Sequence, residues 1–214
     1  ASGPVYRQVG GYARLAGLLN QIRAERPGAV LAFDNGDTIH GTYPAVQTKG
    51  EGLLPLLNTL RFDAMTAHWE FAYGPEHLKR VSGQLVYPLL AVNVYDTASG
   101  QPVFGGTQVY EAGGLRVGVV GIASNIVDKT MPPHFSEGAR FTLGLDETRA
   151  AVRQLREGER VDLVVVLSHL GFPQDMKLAE EIRGIDVLLS GHTHNRLFRP
   201  ARVGDTIIIQ SGSH

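Results

Sequence analysis

Five residues of two types stand where a divalent ion could be held. The apolar run Ala29–Phe33 leads to Asp37, Phe62–Thr66 leads to His68, Asp162–Leu167 leads to His169, and Ile185–Leu189 leads to His192 and His194. Read as strands, these runs each deliver a carboxylate or an imidazole just past a carboxyl end, the edge where ligands collect in α/β sheets. Carboxylate and neutral imidazole suit borderline divalent ions such as Mn²⁺, Fe, Zn²⁺ and Co²⁺. In Gly191-His192-Thr193-His194 the two histidines are two apart, so an extended backbone there points both rings the same way. Gly36, Gly41, Gly171 and Gly191 let neighbouring backbones crowd around a small centre. A lone loop histidine is more often a surface residue, so the weight lies in the coincidence of four strand ends.

The elements that must position these residues alternate along the chain. Tyr12–Ala24 carries Leu15, Leu18, Leu19 and Ile22 at helical spacing and ends before Pro27. Leu53–Leu60 reads as a helix with Pro55 in its first turn, and Val86–Val94 as an extended apolar stretch. Val109–Glu111 and Leu115–Ile122 flank Gly113-Gly114, a hairpin signal. Leu145–Glu157 and Met176–Ile182 read as helices, and Val203–Gln210 as a closing pair of strands turned at Gly204-Asp205. Continuous Val/Ile/Leu strands separated by helices predict sheets covered on both faces, with the hairpin making the pairing mixed.

Composition narrows the function classes. The 214 residues are 43% hydrophobic and 19% charged, enough apolar content for one sizeable core and no linker. Twenty basic against 21 acidic side chains give a formal charge of −1. That balance argues against a nucleic-acid polymer or a polybasic membrane patch. No apolar run approaches the ~18 residues of a membrane span. With no cysteine, disulfides, thiolate metal sites and cysteine nucleophiles are excluded together. The start at Ala1 and the stop at His214, four residues after an apolar run, read as one domain over residues 1–214 cut from a longer chain.

Three motifs in order carry a family resemblance: Asp34-Asn35-Gly36-Asp37-Thr38-Ile39-His40-Gly41, Val166-Leu167-Ser168-His169-Leu170-Gly171 and Gly191-His192-Thr193-His194. With Gly10-Gly11-Tyr12-Ala13-Arg14 ahead of them, they resemble the metal motifs of calcineurin-like metallophosphoesterases, in particular the 5′-nucleotidase branch. The resemblance covers nearly the whole chain. It implies a two-sheet mixed β-sandwich flanked by helices, an α/β/β/α arrangement, around a pair of metal ions. Asp37 would bridge the pair, His169 and His192 would bind one ion, and His194 the other. The Asp-x-His motif that opens that family, and its C-terminal substrate domain, have no counterpart here.

The family also reads Gly-Asn-His-Glu where this chain has Ala67-His68-Trp69-Glu70. His68 replaces the metal-binding Asn and can still bind metal, whereas Trp69 replaces a histidine and cannot transfer a proton. Hydrolysis at a metal pair uses a bound hydroxide as nucleophile. A basic alkoxide leaving group then needs an acid, but a thiolate or persulfide does not, since a free thiol has pKa ~8.5. The run His68-Trp69-Glu70-Phe71-Ala72-Tyr73-Gly74 is similar to the SoxB family of thiosulfohydrolases of bacterial sulfur oxidation. That similarity implies a dimanganese centre, a cysteine-S-sulfonate on a SoxYZ-type carrier protein as substrate, sulfate as product, and residence in the periplasm. Two alternatives stand beside it: an ordinary 5′-nucleotidase or phosphodiesterase, and a core tryptophan with catalysis lost.

Weaker candidates complete the reading. Trp69 and Arg196 are the substrate-pocket candidates, the latter because a guanidinium fork suits sulfonate and phosphate oxygens. Glu70 orients a ligand histidine or caps a turn. Asn93 ties a neighbouring loop to a buried strand. His40 serves the turn after Asp37, His77 and His134 are solvated, and His214 follows the last strand.

Overall fold

The computed structural model describes residues 10–212, and His214 lies outside them. Ten strands form: β1 (Phe33–Asp34), β2 (Ala64–Met65), β3 (Val94–Asp96), β4 (Thr107–Ala112), β5 (Leu115–Ile122), β6 (Ala139–Phe141), β7 (Leu163–Ser168), β8 (Val187–Ser190), β9 (Ala201–Val203) and β10 (Thr206–Ile209). Among the same described residues seven α-helices accompany them: α1 (Tyr12–Glu25), α2 (Tyr43–Gln47), α3 (Leu54–Leu60), α4 (Pro75–Ser82), α5 (Val127–Thr130), α6 (Leu145–Arg153) and α7 (Phe172–Glu181).

Six strands join in one mixed sheet, ordered β4-β5-β7-β8-β10-β9. The four inner strands are parallel, and β4 and β9 are antiparallel edges. The period-2 rule decides the faces. Val164 and Val166 of β7 pack with Val152, Leu155, Leu178 and Ile182 from the α6–α7 side. Val165 and Leu167 turn the other way, onto Ala64 and Leu90. The Gly113-Gly114 hairpin is as predicted: both glycines have positive φ (60° and 79°) and Ala112 faces Leu115. That backbone is the twist-matched two-residue turn.

The second layer is sheet in outline only. β1 and β2 pair in parallel over two residues, and isolated bridges at Met65–Leu89 and Leu90–Gly105 continue the layer. Beyond it Met65, Ala67, Leu89 and Ala91 pack with Leu57 and Leu60 of α3, Leu78 and Val81 of α4, and Phe71. The four-layer α/β/β/α arrangement therefore stands, with one layer reduced. The strands read at Ala29–Phe33, Phe62–Thr66 and Val86–Val94 shrink because side chains take their ladder partners: the Ala32 N–H donates to the Asp63 carboxylate at 2.6 Å, and Pro88 has no N–H to offer. The helix read at Leu145–Glu157 stops at Arg153 and ends in one wide turn over Gln154–Gly158.

Candidate metal centre

The loop after β1 is built around two buried carboxylates. Asp34 Oδ1 accepts from the Gly36 N–H (3.0 Å) and the Thr38 hydroxyl (2.6 Å). This turn leaves Asp37 with φ 63°, a left-handed backbone uncommon outside glycine. Glu70, wholly buried, then joins two loops through one carboxylate. It accepts from the N–H groups of Thr38 (2.6 Å), Ile39 (3.2 Å) and His68 (2.8 Å). The Trp69 N–H donates to Asp37 Oδ1 at 3.1 Å. Of the two roles read for Glu70, the structure shows the backbone one: it fixes where the Asp37 and His68 loops meet.

The other half of the site hangs from the ends of β7 and β8. The Asn35 side-chain amide donates to the Ser168 carbonyl (2.9 Å) and the Leu189 carbonyl (3.2 Å), bridging the two strands. The Asn35 backbone carbonyl accepts from His169 Nδ1 at 2.5 Å, which makes Nδ1 a donor and leaves Nε2 as the nitrogen that turns to Asp37. Gly191 is required here, because a Cβ would sit 2.8 Å from the Asn35 amide nitrogen and 3.0 Å from His169 Nδ1.

The halves meet on Asp37. His68 Nδ1 lies 3.1 Å from one carboxylate oxygen and His169 Nε2 lies 3.2 Å from the other. His192 closes the group, its ring 4.8 Å from that of His68. Asp37, His68, His169 and His192 each offer one donor atom, all within 4.8 Å of one another. His194 lines the same cavity of about 320 Å³, with Asn35, Asp37, His169 and His192 around it. Its donor atoms stand outside the four-residue group. The extended backbone predicted for 192–194 is absent: φ is 71° at His192 and 54° at His194, so the simple two-apart geometry does not apply.

These residues fit a divalent ion. Asn35 Oδ1 and His68 Nε2 are buried without hydrogen-bond partners, and His68 Nδ1 and His169 Nε2 meet only the shared Asp37 carboxylate, an arrangement that is expensive unless something else satisfies it. Burial pushes Asp37 upward, but the hydrogen bonds from His169 and His68 outweigh it and hold its carboxyl well below the usual range. Burial lowers His169, but Asp37 wins and raises it. Burial, with the charges of His68 and His169 beside it, pushes His192 down to about 4, so near neutral pH its ring is an uncharged lone-pair donor. Asp34 is pushed up to about 6 by burial, which its Thr38 and Gly36 hydrogen bonds only partly offset.

The remaining candidates fall elsewhere. Trp69 does not line that cavity; its ring lies 5.7 Å from His68, stacks on His40 at 4.7 Å and meets Phe135 edge-on. Arg196 is not brought to the cavity either: its guanidinium lies 4.9 Å over the exposed Phe198 ring. His40 is more than a turn residue, since it covers one face of Trp69. His77 is tied down by the Lys49 carbonyl at 2.7 Å. Asn93 binds Ala123 reciprocally at 2.9 Å each way, as its position in a buried run suggested. The residue missed outright is Asn35, whose side chain does its work on strands more than 130 positions away.

Other proteins share this fold. No family model matches the chain. It is 32% identical over 198 residues to a 5′-nucleotidase of Rattus norvegicus, covering 89% of this chain and 33% of that protein. Its structure matches the sulfate thiohydrolase SoxB of Thermus thermophilus with a TM-score of 0.90 and 35% identity, over 96% of this chain and 38% of that one. A 5′-nucleotidase precursor, also from Thermus thermophilus, matches with a TM-score of 0.82 and 26% identity, over 94% and 43%. The chain thus has the metallophosphoesterase fold that these 5′-nucleotidases and SoxB share. It spans about a third of the length of the curated relatives it matches. Among the described residues no helix is long and apolar enough to cross a membrane.

Proposed function

We propose that this chain supplies the metal site of a metal-dependent hydrolase that releases sulfate from a cysteine-S-sulfonate on a SoxYZ-type carrier protein in the periplasm. The observation that carries the reading is Trp69, which follows the buried His68 directly and is packed between His40 and Phe135. Its indole can donate a hydrogen bond but cannot act as a titrating acid. The likeness to the SoxB thiohydrolase supports it.

A pair of divalent ions, Mn²⁺ by preference and Zn²⁺, Fe or Co²⁺ otherwise, would supply Lewis acidity and an activated water. Asp37, His68, His169 and His192 would hold one ion, and Asp37 with His194 a second. The chain's own part is preorganisation. The Asn35 carbonyl keeps the His169 proton on Nδ1, burial keeps His192 neutral, and Glu70 fixes the approach of Asp37 to His68. In the reaction an oxygen of water joins the sulfonate sulfur, the S–S bond breaks, and its electron pair leaves on the carrier's sulfur. A sulfur anion is weakly basic enough to depart without a protein acid.

The alternative is a 5′-nucleotidase, favoured by the names of the curated relatives. The full-length protein loaded with Mn²⁺ separates the two, with sulfate release from a sulfonated carrier peptide followed beside phosphate release from AMP. Sulfate without phosphate is expected. Phosphate without sulfate returns the protein to the nucleotidases. A Trp69→His variant that kept full carrier turnover and gained no phosphatase activity would remove the argument from the tryptophan.

A further inference from the structure

Gln210 stands just past the end of β10, 3% exposed, and its side chain is spent entirely on one loop. Its Nε2 donates to the Gly191 carbonyl and to Ser190 Oγ (3.2 Å). Its Oε1 accepts from the Asn195 N–H (2.6 Å) and the Thr193 hydroxyl (3.4 Å). Nε2 also lies 3.3 Å from Thr193 Oγ1, so the amide group is used on both its atoms, and every partner lies between Ser190 and Asn195. That loop carries the left-handed residues His192 and His194. Such a backbone costs about 1–3 kcal/mol per residue and persists only where the surroundings over-determine it. Other ties of the loop are the Gly191 N–H to the Ser168 carbonyl, the Thr193 N–H to the Gly191 carbonyl, and Thr193 Oγ1, which accepts from the Phe172 N–H at the start of α7.

We propose that Gln210 is a positioning residue for the metal site, a clamp that holds residues 191–195 in the conformation from which His192 and His194 face Asp37. The proposal rests on the metal-site reading above. Gln210 itself touches no group of the Asp37–His68–His169–His192 cluster as a donor atom. It works through the peptide groups before His192 and after His194 and through the Thr193 hydroxyl between them, and a hydrogen-bonded partner of this kind is typically worth 10–100-fold in metal affinity.

The test uses the full-length protein, free of metal, titrated with Mn²⁺ and read by the electron paramagnetic resonance of free Mn²⁺. Gln210→Met keeps the size and removes every one of these hydrogen bonds; it should weaken Mn²⁺ binding at least tenfold. Ile208→Ala, two residues earlier on β10 and wholly buried, lowers overall stability through a cavity instead and should leave the affinity unchanged. Amide exchange at Asn195 should be at least tenfold faster in Gln210→Met than in the wild type. If Gln210→Met does not fold, Thr193→Val, which removes one arm of the clamp, should lower affinity about threefold. Wild-type affinity in the Gln210 variant (or in Thr193→Val where that stands in), or an equal loss in Ile208→Ala, overturns the proposal. A wild-type protein that takes up no Mn²⁺ overturns the metal reading and the proposal together, and is told apart by the wild-type titration alone.

Discussion

The two halves of the metal centre are built by different means. His169 and His192 stand at the ends of β7 and β8, strands of six and four residues locked into a ladder with apolar cover on both faces. Asp37 and His68 follow β1 and β2, strands of two residues each. There the ladder is replaced by carboxylates: Asp34 holds the Asp37 turn, Asp63 takes the Ala32 N–H, and Glu70 takes three N–H groups from two loops. A side-chain acceptor can bend the backbone where a ladder would keep it straight. The cost is that much rests on a single group.

Glu70 is accordingly where the contrast should break most sharply. Glu70→Ala leaves three N–H groups without their acceptor, two of them buried, at about 1–3 kcal/mol each. The sum is of the order of a domain's whole stability. The variant should lose about 5 kcal/mol or fail to fold, measured by urea unfolding. A loss below about 1 kcal/mol would mean that water replaces the carboxylate and that the irregular half does not depend on it. Leu188→Ala puts the regular half to the same measurement. Leu188 is fully buried under α7, and its truncation should cost about 3 kcal/mol through cavity formation while the surrounding ladder keeps the fold.

The same contrast explains what could be read in the sequence. β5, β7, β8 and β10 announce themselves as Val/Ile/Leu runs because a strand buried on both faces must be apolar throughout, and Gly113-Gly114 marks its hairpin by backbone freedom alone. β1 and β2 were legible only in outline, since their extent depends on Asp63 capturing the Ala32 N–H from 31 positions away. In the site, Asp37, His68, His169 and His192 follow from one rule about strand ends. The left-handed turns at His192 and His194 do not, because no glycine flags them and their support comes from Gln210 across the loop. Arg196 stands close in sequence to the histidines, which is what made it a candidate. In the structure it packs over Phe198 instead, since sequence proximity does not fix which way a loop residue faces.

Asp37 joins the halves, so its loss probes both at once. Asp37→Asn retains the size but removes the charge that His68 and His169 converge upon. Mn²⁺ affinity should fall by more than the 10–100-fold typical of an outer partner, with a smaller change in stability. Retention of affinity within tenfold would show that the three imidazoles suffice and that the carboxylate is not central.

An effect that emerges only with pH concerns the buried carboxylate of the regular half, Asp175 on α7. Unlike Glu70 it is served by hydroxyls and not by loop N–H groups: its Oδ1 accepts from Ser168 Oγ at 2.5 Å. Burial therefore dominates and pushes it up to about 7, against partial relief from Ser168 and Ser190. Between pH 4 and pH 7 the unfolded chain gives up this proton while the folded chain keeps it. The term is absent below the unfolded pKa, and stability then falls as pH rises through that window, by at most about 1.4 kcal/mol per pH unit. Asp34 adds a slope of the same sign up to about pH 6, and His192 one of opposite sign between about pH 4 and 6.5. Both are common to the wild type and Asp175→Asn, so the difference between the two isolates Asp175. Urea midpoints taken from pH 4 to pH 8 should show the variant gaining on the wild type as pH rises, then running parallel to it above pH 7. Parallel profiles throughout would mean that Asp175 is ionised in the folded chain, and that serine hydroxyls alone serve a buried carboxylate as well as the backbone N–H groups serve Glu70.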